Sequence, residues 1–182
     1  MKKVLGAVAL AVVLLTGCSS TETQPTAASS APSSPTPSPT PSKTPSASKA
    51  DYGRVLLKVQ AGVDEYVNDW KKYTCSSGSV AQGDPLCFAI AMRAESVASL
   101  VGISLKGAQQ PKSPSYIGAP PSELTKVVQT TVAASDEAVS AAKEWRAANC
   151  PKDYACTNKT LMLDMAMTDL QTEMKAWELY LK

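Results

Sequence analysis

Histidine is absent from all 182 residues, which removes the commonest general base and metal ligand available at neutral pH. Net charge is nearly absent as well. Residues 51–182 carry 14 basic and 15 acidic side chains, a net of −1. Such a domain offers no electrostatic footprint to a phosphate backbone, so nucleic acid is not an expected partner. The glycines stand singly, without a phosphate-cradling loop. The acidic doublets Asp64-Glu65 and Asp136-Glu137 point roughly 100° apart on a helix and do not converge. Catalysis needs a nucleophile with its base, or paired acids of shifted pKa. The expectation is a non-enzymatic protein with no cofactor and no metal. Sustained period-two alternation is also missing, which argues against a sheet.

The N-terminus carries an address. Met1-Lys2-Lys3 is a short basic stretch, and Val4 to Leu15 is an apolar run of 12 residues. Crossing a hydrocarbon core of roughly 30 Å takes about 20 residues, so residues 1–17 read as a signal peptide and not a span. The next motif, Leu15-Thr16-Gly17-Cys18, resembles the lipobox of bacterial lipoproteins. The resemblance implies cleavage before Cys18 by a type II signal peptidase and attachment of palmitate-type acyl chains to Cys18. It implies a protein anchored by lipid to the outer face of the cell membrane, or a periplasmic or outer-membrane location in a host with two membranes.

From Ser19 to Ala50, 28 of 32 residues are Ser, Thr, Pro or Ala, and seven of the 13 prolines lie there. With no apolar face to bury, chain entropy wins, and 18–50 is expected to be a disordered tether behind its lipidated Cys. Proline favours an extended form of about 3.1 Å per residue, for an upper reach on the order of 100 Å.

Residues 51–182 are long enough to bury one core. Four stretches show helical spacing. The first runs from Tyr52 through Leu56, Val63 and Val67 to Trp70. The second opens at Asp84-Pro85, a cap followed by Pro in the first turn, and continues through Ile90, Ala94, Val101 and Leu105 to a stop expected at Gly107. A third starts near Pro120-Pro121 and ends before Pro151. The fourth begins near Asn158 and runs through Leu163, Met167, Leu170, Met174 and Trp177 to Leu181. The pattern predicts an all-α, antiparallel (up-down-up-down) four-helix bundle.

An acidic-Trp-basic-x₃-Cys stretch occurs twice, ending at Cys75 and at Cys150, and each time another Cys opens the next helix, at Cys87 and Cys156. In an exported domain four cysteines suggest two disulfides. Cys75–Cys87 and Cys150–Cys156 would staple two helical hairpins. Both corners lie at one end of the bundle, so cross-pairing stays open. The spacings C-x₁₁-C and C-x₅-C fit zinc poorly.

Three features could bind something. The loop from Gly107 to Pro121 holds four prolines and the apolar pair Tyr116-Ile117; such a length is usually functional, although the pair could instead plug the bundle end. Tyr154, inside the tight Cys150–Cys156 loop, is a candidate aromatic anchor. Met162, Met165 and Met167 would suit Cu(I) as soft ligands, but Met167 aligns with the core stripe, where Met is a common gap-filler.

The expected function is protein binding at the cell envelope, the membrane being engaged through the N-terminal lipid and the partner being another envelope or phage protein. Lipobox, Ser/Thr/Pro stretch and compact helical domain together are similar in layout to the small lipoproteins by which prophages and phages exclude a second phage. An alternative is a carrier for an apolar small molecule or lipid between the Ala-rich third and Met-rich fourth helices. A third is a structural or antigenic surface lipoprotein.

Overall fold

Ser48 opens the first helix. A computed structural model describes residues 46–150 and 155–181; Cys18, the tether up to Pro45 and Tyr154 lie outside the described residues. The Ser48 hydroxyl accepts from the Asp51 N–H while the Asp51 carboxylate accepts from the Ser48 N–H, starting α1 (Lys49–Lys72). This reciprocal box satisfies two donors that a helix end otherwise leaves orphaned. Asp84 starts α3 (Pro85–Gln109) by accepting from the N–H groups of Leu86 and Cys87. Between them lies the short α2 (Ser77–Ala81). Then come α4 (Ser122–Ala147), α5 (Ala155–Ala176) and the single turn α6 (Glu178–Leu181).

The four long helices form the expected antiparallel bundle, in the order α1, α3, α4, α5 around its axis. Disulfides Cys75–Cys87 and Cys150–Cys156 staple the α1–α3 and α4–α5 hairpins, with Cα separations of 5.4 and 5.2 Å. The predicted stripes face inward: Tyr52, Leu56, Val63 and Trp70 meet Ile90, Val101 and Leu105, Leu124 and Trp145, and Leu163, Met167 and Leu170. Small residues bring α3 and α4 close. Ser135 Oγ donates to the Ala98 carbonyl at 2.8 Å, and a Cβ at Gly102 would stand only 2.6 Å from Ser135 Oγ.

Five details depart from the sequence reading. The folded unit starts before residue 51: Ala47 is buried and Ser46 bridges to Ala119. Helix α2 occupies a stretch read as loop. Helix α3 continues past Gly107 to Gln109; that glycine instead admits the following loop, since a Cβ there would lie 2.6 Å from Ser115 Oγ. Helix α5 starts at Ala155, ahead of Asn158, which places Cys156 inside it. Finally, α5 breaks before Leu181, where the Trp177 N–H turns to the Met174 carbonyl. The Trp177 indole anchors that break, stacking 6.5 Å from Tyr52 and donating to Thr131 Oγ1 at 2.8 Å.

The seam between α1 and α5 is the thinnest of the four. Helix α2 packs on α5 through buried Val80, and α6 folds against α1, where Gly53 leaves room for Leu181.

Candidate functional site

The Gly107–Pro121 loop folds back on the bundle. The N–H groups of Ile117 and Gly118 both donate to the Ala108 carbonyl, at 3.0 and 3.3 Å, and Tyr52 Oη donates to the Gly118 carbonyl at 2.8 Å. Burial, with Tyr116 beside it, pushes the Tyr52 hydroxyl up to about 12, so it keeps its proton and this latch holds at ordinary pH. Ile117 packs against the core and Tyr116 is half-buried. The pair closes the end of the bundle. What the loop presents outward is Ser113-Pro114-Ser115, fixed by Ser113 Oγ, which accepts from the Ser115 N–H and lies 2.8 Å from Ser115 Oγ.

That segment walls a groove of about 420 Å³ whose other side is Ile103, Lys106 and Gly107 of α3. Ile103 and Lys106 also line a smaller groove, about 130 Å³, running between α3 and α4. Ile103 therefore stands as a ridge between two depressions, 67% exposed, with Leu100 beside it at 57%. Leu86 and Met92 continue the same apolar helix outward toward the disulfide end.

Charge pairing explains why this helix stays apolar on the outside. Its 25 residues include three charges, Arg93, Glu95 and Lys106. Arg93 reaches sideways to Glu65 and Asp69 of α1, at 2.8 and 3.4 Å. Glu95 pairs with Arg146 and Lys106 with Asp136, both across to α4, at 2.8 and 2.7 Å. All three are drawn off the ridge. Exposed pairs of this kind add little stability, but their placement leaves an outward surface of Leu, Ile, Met, Ala and Ser. Helix α3 is also long and apolar enough to cross a membrane, with a mean hydropathy of 1.6 in its richest window; its inward face is committed to the core.

The sequence reading missed this surface. Its signal was the scarcity of charge in residues 85–109, hidden because the inner stripe alone satisfies the helical period.

The other candidates fall elsewhere. Met167 is fully buried, whereas Met162 and Met165 face solvent on α5 with Leu161. Among the described residues no group of three or more Cys, Asp or Glu could hold a metal. Ser140-Ala141-Ala142-Lys143 has the spacing of a Ser-x-x-Lys nucleophile pair, but it lies in the open on α4, with Ser140 in a shallow groove beside Glu137 and Glu144. Along the α4–α5 seam, Ala138, Ala142, Leu163, Ala166, Met167 and Leu170 are buried against one another. The grooves outside that seam are rimmed by Glu137, Glu144, Asp169 and Glu173; a carrier of an apolar molecule would have to part the two helices.

Two further perturbed ionisable groups sit between α1 and α5. Desolvation raises the Asp164 carboxyl, against the Trp70 indole N–H and Lys71, which favour its charge. Burial raises the Tyr66 hydroxyl, with Asp164 adding to it, and Tyr66 Oη and Trp70 Nε1 have no hydrogen-bond partner of good geometry. Compared with known proteins, the chain matches no protein family, no curated protein and no solved structure.

Proposed function

We propose that this protein is a lipid-anchored component of the bacterial cell envelope whose helical domain binds another protein and performs no chemistry itself. Cys18 would carry the lipid, the Ser/Thr/Pro segment would serve as tether, and the domain would present its partner-binding face outside the membrane. The observation that carries the reading is the outward ridge of α3, where Leu100 and Ile103 are more than half exposed and all three helix charges are drawn away. Contiguous exposed apolar surface on a water-soluble domain marks an interaction site. Grooves on either side of Ile103 give a partner the concave surroundings in which binding energy concentrates. Tyr116 and Ile117 remain part of the proposal in a changed role, bracing the loop that walls the groove; Tyr154, outside the described residues, stays a candidate anchor as the sequence suggested.

The layout favours a phage or prophage protein that excludes a second phage, with an envelope or phage protein as the partner. Expressed in a sensitive host, the protein should lower phage DNA injection while leaving adsorption unchanged. The pair Leu100→Glu and Ile103→Glu should restore injection with the protein still folded and anchored. Unchanged plating across a broad phage panel would count against the exclusion reading, and full activity of the double variant would count against α3 as the binding face.

A further inference from the structure

A second apolar patch lies on another edge of the molecule. Leu179 is the most exposed large apolar residue described, at 79%, and Leu57, at 65%, is almost as exposed as Ile103. Leu57 and Leu181 line one groove of about 360 Å³, where α1 and the end of α5 separate over a floor that includes Leu56, Met174 and Trp177. Leu179 lies on the same turn, α6, that closes this groove. Cations flank it: Arg54 and Lys58 are exposed within one turn of Leu57, and Lys175 is exposed beside Met174. Arg54 is paired with Asp51, and Glu178 is the acid on the groove rim.

Position and charge say what this patch faces. The described chain begins at Ser46, bridged to Ala119 at this end of the bundle, so the segment leading back to Cys18 joins the domain here. The half of the bundle at this end holds seven basic and five acidic described residues, whereas the disulfide half holds six basic and nine acidic. The excess is two positive charges at this end and three negative at the other, with the Lys106–Asp136 pair lying across the dividing line. Apolar side chains among cations are what an interfacial membrane contact requires, since buried apolar area and attraction to anionic lipid add.

We propose that the α1–α6 edge docks directly on an anionic lipid bilayer, with Leu57, Leu179 and Leu181 at the acyl boundary and Arg54, Lys58 and Lys175 among the headgroups. This contact is a property of the folded domain and needs neither an acyl chain on Cys18 nor the partner on α3. It would hold the domain down on the membrane with the acidic disulfide end outward, although the tether could reach much farther.

The core lies within the unit Ser42–Lys182, so that stretch, lacking Cys18, is suited to the test. It is floated with vesicles of phosphatidylcholine containing phosphatidylglycerol, and with phosphatidylcholine alone, while light scattering follows its oligomeric state. Partition onto the anionic vesicles should be roughly fivefold stronger or more, and should weaken as salt screens the cations. Leu57→Glu with Leu179→Glu should abolish it, as should Lys58→Glu with Lys175→Glu, a pair that disturbs no core residue. Leu100→Glu with Ile103→Glu should leave it unchanged. No retention on anionic vesicles, equal retention on neutral ones, or loss only with the α3 pair would overturn the proposal. So would a dimer that the Leu57 and Leu179 changes dissolve, which would make a second copy the occupant.

Discussion

Where α1 ends, the Tyr73 N–H donates to the Asp69 carbonyl at 3.0 Å and the Thr74 N–H to that of Lys71 at 3.1 Å; where α4 ends, Ala148 donates to Glu144 at 3.0 Å and Asn149 to Arg146 at 3.2 Å. Thr74 and Asn149 then adopt the same left-handed backbone, φ 51° and 52°, and deliver the chain into Cys75 and Cys150. The two acidic-Trp-basic stretches thus end their helices with the same backbone geometry, a closed last turn followed by one left-handed residue. Beyond the cysteines the corners diverge. Eleven residues separate Cys75 from Cys87 and five separate Cys150 from Cys156; the longer corner accommodates α2. The indoles differ too. Trp145 Nε1 donates to Thr160 Oγ1 at 2.9 Å and its ring meets Phe88 at 5.3 Å. Trp70 stacks on Tyr66 but has only the nearby Asp164 carboxylate for its N–H. One turn design serves two corners, and packing beyond it decides how firmly each is held.

The largest effects should come from the indoles. Trp145→Ala should cost about 3–5 kcal/mol, as for other large buried aromatics. Trp145→Phe leaves the buried Thr160 hydroxyl with only Cys156 Sγ, at 3.6 Å, and should cost about 1–3 kcal/mol, whereas Trp70→Phe removes a poorly satisfied donor and should cost less. Urea melts of the two Phe variants rank the corners, and equal losses would erase the distinction.

Next come the disulfides. By the loop-entropy argument, opening Cys75–Cys87 costs about 3 kcal/mol and Cys150–Cys156 about 2.4 kcal/mol. Because α2 lies inside the first loop, Cys75→Ala with Cys87→Ala should also lower amide-exchange protection at Val80.

Smaller effects follow from the two left-handed residues. A β-branched side chain is strained there while Asn is tolerated. Thr74→Gly should therefore raise stability by up to about 1 kcal/mol, and Asn149→Gly should change it little. Thermal melts of both variants would show it.

The smallest effect is the pH dependence of Asp164. Its carboxyl is raised in the fold, so the fold holds that proton more tightly than the unfolded chain does. The contribution favours the fold below the unfolded value of 3.8 and is lost as pH rises through the folded value. Asp164→Asn should be more stable than the wild type at neutral pH and lose that advantage in acid. Asp51 and Glu144, lowered by hydrogen bonds to Ser48 and Lys159, have the opposite sign.

The four long helices were legible because each carries an inner stripe at helical spacing, and both disulfides because each cysteine pair brackets one corner. Met167 was separable from Met162 and Met165 by the same rule. Helix α2 was not legible, since five residues carry no periodicity and its cap is Ser76-x-x-Ser79 without the usual acid or amide. Ser48-x-x-Asp51 was a readable cap, hidden by the Ser-rich composition before it. The α5 break at Trp177 has no Gly or Pro to announce it; long-range partners, Tyr52 and Thr131, fix it. The outward ridge on α3 was only half legible for a related reason: charge is scarce in residues 85–109, but only the positions of Glu65, Asp69, Arg146 and Asp136 reveal that the three charges present turn aside.

A photoreactive amino acid at Ile103, compared with one at Met165 on the outward face of α5, tests in living cells whether the α3 ridge holds a partner. One discrete protein adduct is expected from position 103 and none from position 165. No adduct from 103, or the same adducts from both positions, would contradict it.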